Sequence, residues 1–121
     1  MENRILAFMH DMETNNAELV APWFTEESIV WIPPLKPVTG ERRIRALFRA
    51  MFSRYEYIRW EVLEILEVSE NRCIHICTSI GKIRGQEEYK NQVITDIIFN
   101  DEGKIISLSD YFKDTAVFSR S

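Results

Sequence analysis

Apolar residues recur at helical spacing at the start of the chain, where Ile5, Phe8, Met9 and Met12 form one stripe within residues 2–13. Asn15 and Asn16 interrupt the stripe. Leu19, Val20, Trp23 and Phe24 then repeat the spacing, which predicts a short second helix. Residues 28–32 read as a strand stopped by Pro33 and Pro34, because proline has no N–H to give to a sheet ladder. The segment TGERRIRALFRAMF predicts a third helix. Thr39 is its expected N-cap, and Glu41 suits the positive end of the first turn. Ile44, Leu47, Phe48, Met51 and Phe52 fall at i, i+3, i+4, i+7 and i+8 on one face.

The period then changes to two, with Ile58, Trp60 and Val62 alternating with Arg59 and Glu61. A turn over residues 69–72 leads into CIHICTSIGKI, where Gly81 and Gly85 mark a bulge or bend. EEYKNQVITDIIF is the next strand, the DEG at 101–103 signals a hairpin, and KIISLSDYF closes the sheet. Helices followed by a long antiparallel meander make an α+β layout. Such a sheet must curl, and the three helices are its natural lid. No repeat, linker or low-complexity segment divides residues 1–121, so one domain is expected.

The 121 residues suffice for one core and are too few for two. Seven Phe, four Tyr and three Trp could fill that core or line an apolar pocket. A net charge of -4 and a pI of about 5.2 argue against nucleic acid as a partner. Arg42, Arg43, Arg45, Arg49, Arg54 and Arg59 read as a solvated helix side balanced by 19 acidic residues. No apolar run approaches the ~20 residues needed to span a bilayer, and the first residues lack the pattern of a secretory signal. Cys73 and Cys77 lie four residues apart in one strand, ~13 Å along it and beyond disulfide reach. A cytoplasmic protein with free thiols and no membrane contact is expected. No zinc-protease motif, phosphate-cradling glycine loop or dinucleotide fingerprint occurs, and His10, His75 and the two cysteines do not make a zinc site. No metal and no cofactor are therefore expected.

Three passages resemble the SnoaL-like proteins of the nuclear-transport-factor-two-like superfamily: NNAELVAPWFTEESIVWIPP, GERRIRALFRAMF and EEYKNQVITDIIFNDEGKIISLSDYF. The resemblance covers nearly the whole chain. It implies a cone-shaped α+β fold: about three N-terminal helices on a strongly curved, mostly antiparallel sheet with one pocket. It is specific for the fold and weak for the reaction, since this fold hosts cyclases, isomerases, hydrolases, dehydratases and binders. Ketosteroid isomerases carry a Tyr and an Asp at the positions of Phe8 and Ile32, neither of which transfers a proton. Limonene-epoxide-hydrolase-like proteins carry an Arg and an Asp near Cys77 and Ser79, and a second Asp that Asp110 matches. Two of their three charged groups are missing, which disfavours epoxide hydrolysis. The phenazine-biosynthesis PhzA/PhzB proteins are closer locally. They share the Tyr89-Lys90-Asn91 pattern and an acidic proton donor at the position of Asp110. The resemblance also implies a homodimer through the outer sheet face.

On the residues themselves, a two- or four-residue hairpin loop pairs Asn100 with Ile105 and sets Thr95 opposite Asp110. Asp110, Leu108 and Ile106 then share a face with Thr95, Ile97 and Phe99. A three-residue loop with a bulge shifts the pairing by one and sets Asp110 against Ile94. A carboxyl among apolar neighbours titrates nearer neutrality, which suits acid–base catalysis. The plainer alternative is a strand-end carboxyl accepting backbone hydrogen bonds. His75 is in phase with Cys77 and Ser79 and either relays protons and binds a ligand carbonyl or is satisfied by a neighbour. Cys77 reads as a small apolar lining residue. Trp31, Tyr55 and Tyr57 either stack on a flat ligand or belong to the core. Asn91 either bonds within the pocket or holds the strand edge. Tyr111 reads as packing or interface, and Asp96 faces outward with Gln92 and Ser109. The catalytic candidates are Asp110 and His75. The ligand candidates are Trp31, Tyr55, Tyr57, Cys77, Ser79, Asn91, Thr95 and Leu108.

Two principal readings follow. One is a cofactor-free enzyme acting on a small hydrophobic, flat or polycyclic metabolite by isomerisation, cyclisation, dehydration or condensation. The other is a non-catalytic binding or accessory protein with the same cavity. A pure dimerisation module is a third, weaker idea.

Overall fold

Helix α1 (Glu2–Glu13) buries the first apolar stripe, with Ile5, Phe8, Met9 and Met12 all in the core of the computed structural model, which describes residues 1–119. The stripe after the two asparagines is shorter than its spacing predicts. Helix α2 (Ala17–Val20) is capped by the Asn16 side chain and runs into a 3-10 turn over Ala21–Trp23. Leu19 is exposed, and Phe24 already belongs to strand β1 (Phe24–Trp31), so the strand starts four residues earlier than predicted. A two-residue strand β2 (Val38–Thr39) pairs with Ile29 and Val30. Thr39 is therefore extended, and it does not cap the third helix as the sequence suggested. Gly40 takes that place at φ 96°, a backbone conformation natural to glycine, and leads into α3 (Glu41–Arg54). Ile44, Phe48 and Phe52 of α3 are buried, while Leu47 and Met51 stay half-buried.

Four long strands follow: β3 (Tyr55–Glu67), β4 (Arg72–Ile83), β5 (Tyr89–Phe99) and β6 (Ile105–Phe112). The sheet order is β2-β1-β6-β5-β4-β3, antiparallel throughout except where β1 runs parallel to β6. Alternation is clean in the middle: Cys73, His75, Cys77, Ser79, Gly81 and Ile83 point inward on β4, as do Tyr89, Asn91, Val93, Thr95, Ile97 and Phe99 on β5. An extra residue in β3 between Val62 and Glu64 adds twist to the outer edge. The Asn15 amide grips that edge, donating to the Ile58 carbonyl at 3.0 Å and accepting from its N–H at 3.2 Å.

The hairpin between β5 and β6 joins two of the alternatives left open by the sequence. Its loop holds three residues, closed by Gly103 at φ 80°, and pairs Phe99 with Ile105. Asn100 is thus not opposite Ile105; its N–H donates to the Lys104 carbonyl. Ile106 bulges out of the ladder, leaves the buried face to Ile105, and takes back the one-residue shift. From Ile98–Ser107 onward the pairing sets Thr95 opposite Asp110. No helix among the described residues is long and apolar enough to cross a membrane.

Candidate active site

The inward face of the sheet carries one row of polar residues across three strands. Asp110 on β6 pairs with Thr95 on β5, which pairs with His75 on β4. The rows on either side are apolar: Leu108, Ile97 and Cys73 below, Phe112, Val93 and Cys77 above. Helices α1 and α3 cover the row with Phe8, Met9, Met12, Phe48 and Met51, and these groups enclose a cavity of about 60 Å³. Trp60 of β3, Ile32 and Ser79 complete much of the wall.

This setting moves the titrating groups in opposite directions. Burial pushes the Asp110 carboxyl up to about 7, against the lowering effect of the Thr95 hydroxyl, which donates to its Oδ1 at 2.7 Å. Burial also pulls His75 down to about 4, so its imidazole is neutral at pH 7. His75 Nδ1 lies 3.1 Å from Cys77 Sγ. Burial raises the Cys77 thiol to about 12, so it keeps its proton. A thiol that keeps its proton can donate to Nδ1, and that arrangement leaves the ring proton on Nε2. His75 Nε2 is fully buried and has no hydrogen-bond partner among the described residues. The cavity wall thus holds a carboxyl poised near neutrality and an imidazole with one ring nitrogen unpartnered among the described residues.

A second polar feature closes the cavity toward the other end of β5. The Tyr55 and Tyr89 hydroxyls hydrogen-bond each other at 3.1 Å, and both rings line the cavity. Burial, and then the bond to Tyr89, keeps the Tyr55 phenol protonated. Gly81 makes the pair possible, since a Cβ there would stand 2.8 Å from the Tyr89 hydroxyl and 2.9 Å from the Tyr55 ring. No group of three or more His, Cys, Asp or Glu among the described residues is arranged to hold a metal ion.

The family model of the SnoaL-like domain matches residues 5–108. The chain belongs to this family. Solved structures share the fold of this SnoaL-like domain at low identity. A hypothetical protein with a ketosteroid isomerase-like fold from Catenulispora acidiphila DSM 44928, in complex with trimethylamine, is 15% identical with a TM-score of 0.85. That match covers 98% of this chain and 91% of that one. A Mycobacterium tuberculosis epoxide hydrolase of the limonene-epoxide-hydrolase type is 19% identical, covers 97% and 85%, and has a TM-score of 0.79. A SnoaL-like polyketide cyclase, so described provisionally, from Shewanella denitrificans OS-217 is 10% identical, covers 98% and 93%, and has a TM-score of 0.83. No curated protein matches the chain in sequence.

Within this SnoaL-like domain, Asp110, His75, Tyr55, Ser79, Thr95 and Leu108 all line the cavity. Phe8 and Ile32 line it too and bring no proton-transferring group. Four other candidates stand elsewhere. Trp31 faces out of the sheet, because period two turns Val30 and Ile32 inward and leaves Ile29 and Trp31 exposed. Tyr57 pairs with Lys82 on the outer face and donates to the Glu88 carboxylate. Asn91 points inward, but its amide engages the backbone of the C-terminal segment: it donates to the Asp114 carbonyl at 2.9 Å and accepts from the Asp114 N–H at 3.0 Å. It clamps the C-terminal segment. Cys77 is buried behind the wall and touches the His75 ring. The cavity-lining Tyr89 was missed, although it falls in phase with Asn91 and Thr95. Phe118 was also missed; it lies on a short 3-10 turn that no periodicity announces.

The raised Asp110 pKa has a signature in stability. A carboxyl titrating near 7 when folded and about 3.9 when unfolded binds protons more tightly in the native state. Native stability is then fullest below about pH 4 with respect to this group and declines as pH rises toward 7. Urea denaturation should show Asp110→Asn to be more stable than the parent at pH 8, with the difference shrinking as pH falls toward 4. A parent as stable as the variant at pH 8 would mean that Asp110 is solvated.

Proposed function

We propose that this SnoaL-like domain is a cofactor-independent acid–base enzyme that isomerises, cyclises or dehydrates a small hydrophobic ring metabolite. Asp110 carries the proton, Thr95 orients its carboxyl, and His75 Nε2 donates a hydrogen bond to a ligand oxygen. The observation that carries this reading is the position of Asp110: a carboxyl raised to about 7 inside an apolar cavity. The neutral His75 supports it, because a buried donor left unpaired is costly unless something completes it. Similarity to an epoxide hydrolase and a SnoaL-like cyclase supports enzyme chemistry in general. Hydrolysis of an epoxide is not favoured, since the inward β4 positions hold His75, Cys77 and Ser79 rather than an Arg and an Asp, and burial keeps His75 and Cys77 uncharged at pH 7.

Isomerisation, aldol-type cyclisation and dehydration of a ring ketone all begin with removal of an α-proton, so α-proton exchange of an enolisable ring ketone is a common test. With 2-tetralone in D2O, NMR should show saturable, protein-dependent exchange that rises with pH through about 7. Asp110→Asn should slow it by about 100-fold or more. A domain that binds ring ketones tightly and exchanges none of them would instead be a binder.

We also propose that the domain forms a homodimer through its outer sheet face. Trp31, Ile94 and Tyr111 are 48%, 42% and 60% exposed on adjoining strands, a cluster of large apolar groups of the kind that marks interaction sites. Sedimentation equilibrium should give a dimer that Tyr111→Glu converts to a folded monomer. A monomeric parent protein would exclude this assembly.

A further inference from the structure

The inner cavity, at about 60 Å³, falls well short of the ~300 Å³ at the low end of small-molecule sites. A ring metabolite reaching Asp110 must therefore extend beyond it. A second chamber of about 170 Å³ adjoins it and shares Ile32, Met51, Tyr55 and Phe118 as a common wall. Two of these are suited to move. Met51 is unbranched and half-buried. Phe118 lies on the 3-10 turn Ala116–Ser119 and is held by ring contacts to Phe112 at 4.6 Å and Tyr89 at 6.2 Å. These two side chains stand in the shared wall, where a change of rotamer would open one chamber to the other.

The outer chamber is apolar except at one point. Pro34, Leu35, Leu47 and Ala50 line it, and Arg54 is the one charged side chain among its described lining residues. Arg45, Arg49 and Arg72 each hold a carboxylate. Arg54 makes no ion pair among the described residues. A guanidinium beside an apolar chamber offers a paired donor fork that matches a carboxylate. At the far end, the walls around Asp110 are largely apolar and offer no cation among the described residues, so a ligand carboxylate is better placed at Arg54.

We infer that the outer chamber is the second half of the binding site, and that its ligand is an aromatic or alicyclic carboxylic acid. The acid group sits on Arg54, and the ring passes inward between Met51 and Phe118 toward Asp110. This rests on reading the inner cavity as the reaction site. It is tested by calorimetry with 2-naphthoate and its uncharged counterpart 2-naphthalenemethanol. The parent protein should bind the acid about tenfold more tightly than the alcohol. Arg54→Gln, at an exposed position, should abolish that preference by weakening the acid alone, and Arg54→Lys should restore part of it. Ala50→Trp, which fills the chamber, should weaken both probes. Equal binding of acid and alcohol, an acid affinity unchanged in Arg54→Gln, or no binding of the acid at about 1 mM each overturns the inference. Asp110→Asn should retain Arg54-dependent binding of the acid. If it does while the parent exchanges no ketone protons, the acid–base reading fails and the chamber assignment stands.

Discussion

The pairing register between β5 and β6 decides which side of the sheet Asp110 faces. Side chains alternate along a strand, so a slip of one residue would put Tyr111 in the cavity and Asp110 on the outer face. The three-residue loop closed by Gly103 imposes such a slip at its base, where Phe99 meets Ile105. The bulge at Ile106 cancels it before the ladder reaches Ile98. Every feature of the site lies downstream of that correction: the Thr95 hydroxyl on Asp110, the polar row to His75, and the apolar rows on either side.

Placing this row inside the cone carries an energetic cost that the rest of the core offsets. Rings in contact run from Trp23 through Phe8, Phe24 and Phe48 to Phe52, tying both main helices to β1. The buried hydroxyl at the base of β1 is satisfied. The Ser28 hydroxyl donates to the Ile105 carbonyl at 2.6 Å and accepts from the Thr25 N–H at 2.7 Å. His75 Nε2 and Arg45 Nε are the buried side-chain polar atoms without partners among the described residues. Arg45 meets Glu18 and Glu41 through its other nitrogens. His75 has only the thiol contact among the described residues, and its ring is part of the cavity wall. Desolvation neutralises both His75 and, below about pH 7, Asp110, which limits the cost of burying them.

Much of this was legible in the sequence wherever a period persisted. The alternation of β4 and β5 placed His75, Cys77, Ser79 and Thr95 on one face, and the stripe of α1 named four core residues. The resemblance of the final hairpin singled out Asp110. Legibility failed where local rules met tertiary ones. Thr39 has good capping chemistry, but pairing with β1 holds it extended. Trp31 is aromatic and ends β1, yet parity turns it outward, and the outer-face partners of Tyr57 lie 25 and 31 residues along the chain, at Lys82 and Glu88. Asn91 faces inward as expected, but the C-terminal segment claims its amide. Phe118 and the second chamber depend on how a nonperiodic tail packs, which no spacing encodes.

The central claim is that a desolvated carboxyl at Asp110 titrates near neutrality. Its most direct test is a carbon-detected NMR titration of the Asp110 carboxyl, assigned with Asp110→Asn. The account predicts a midpoint at about 7. A midpoint near the ordinary aspartate value of about 3.9 would place the group in water or against a cation, and would contradict the account.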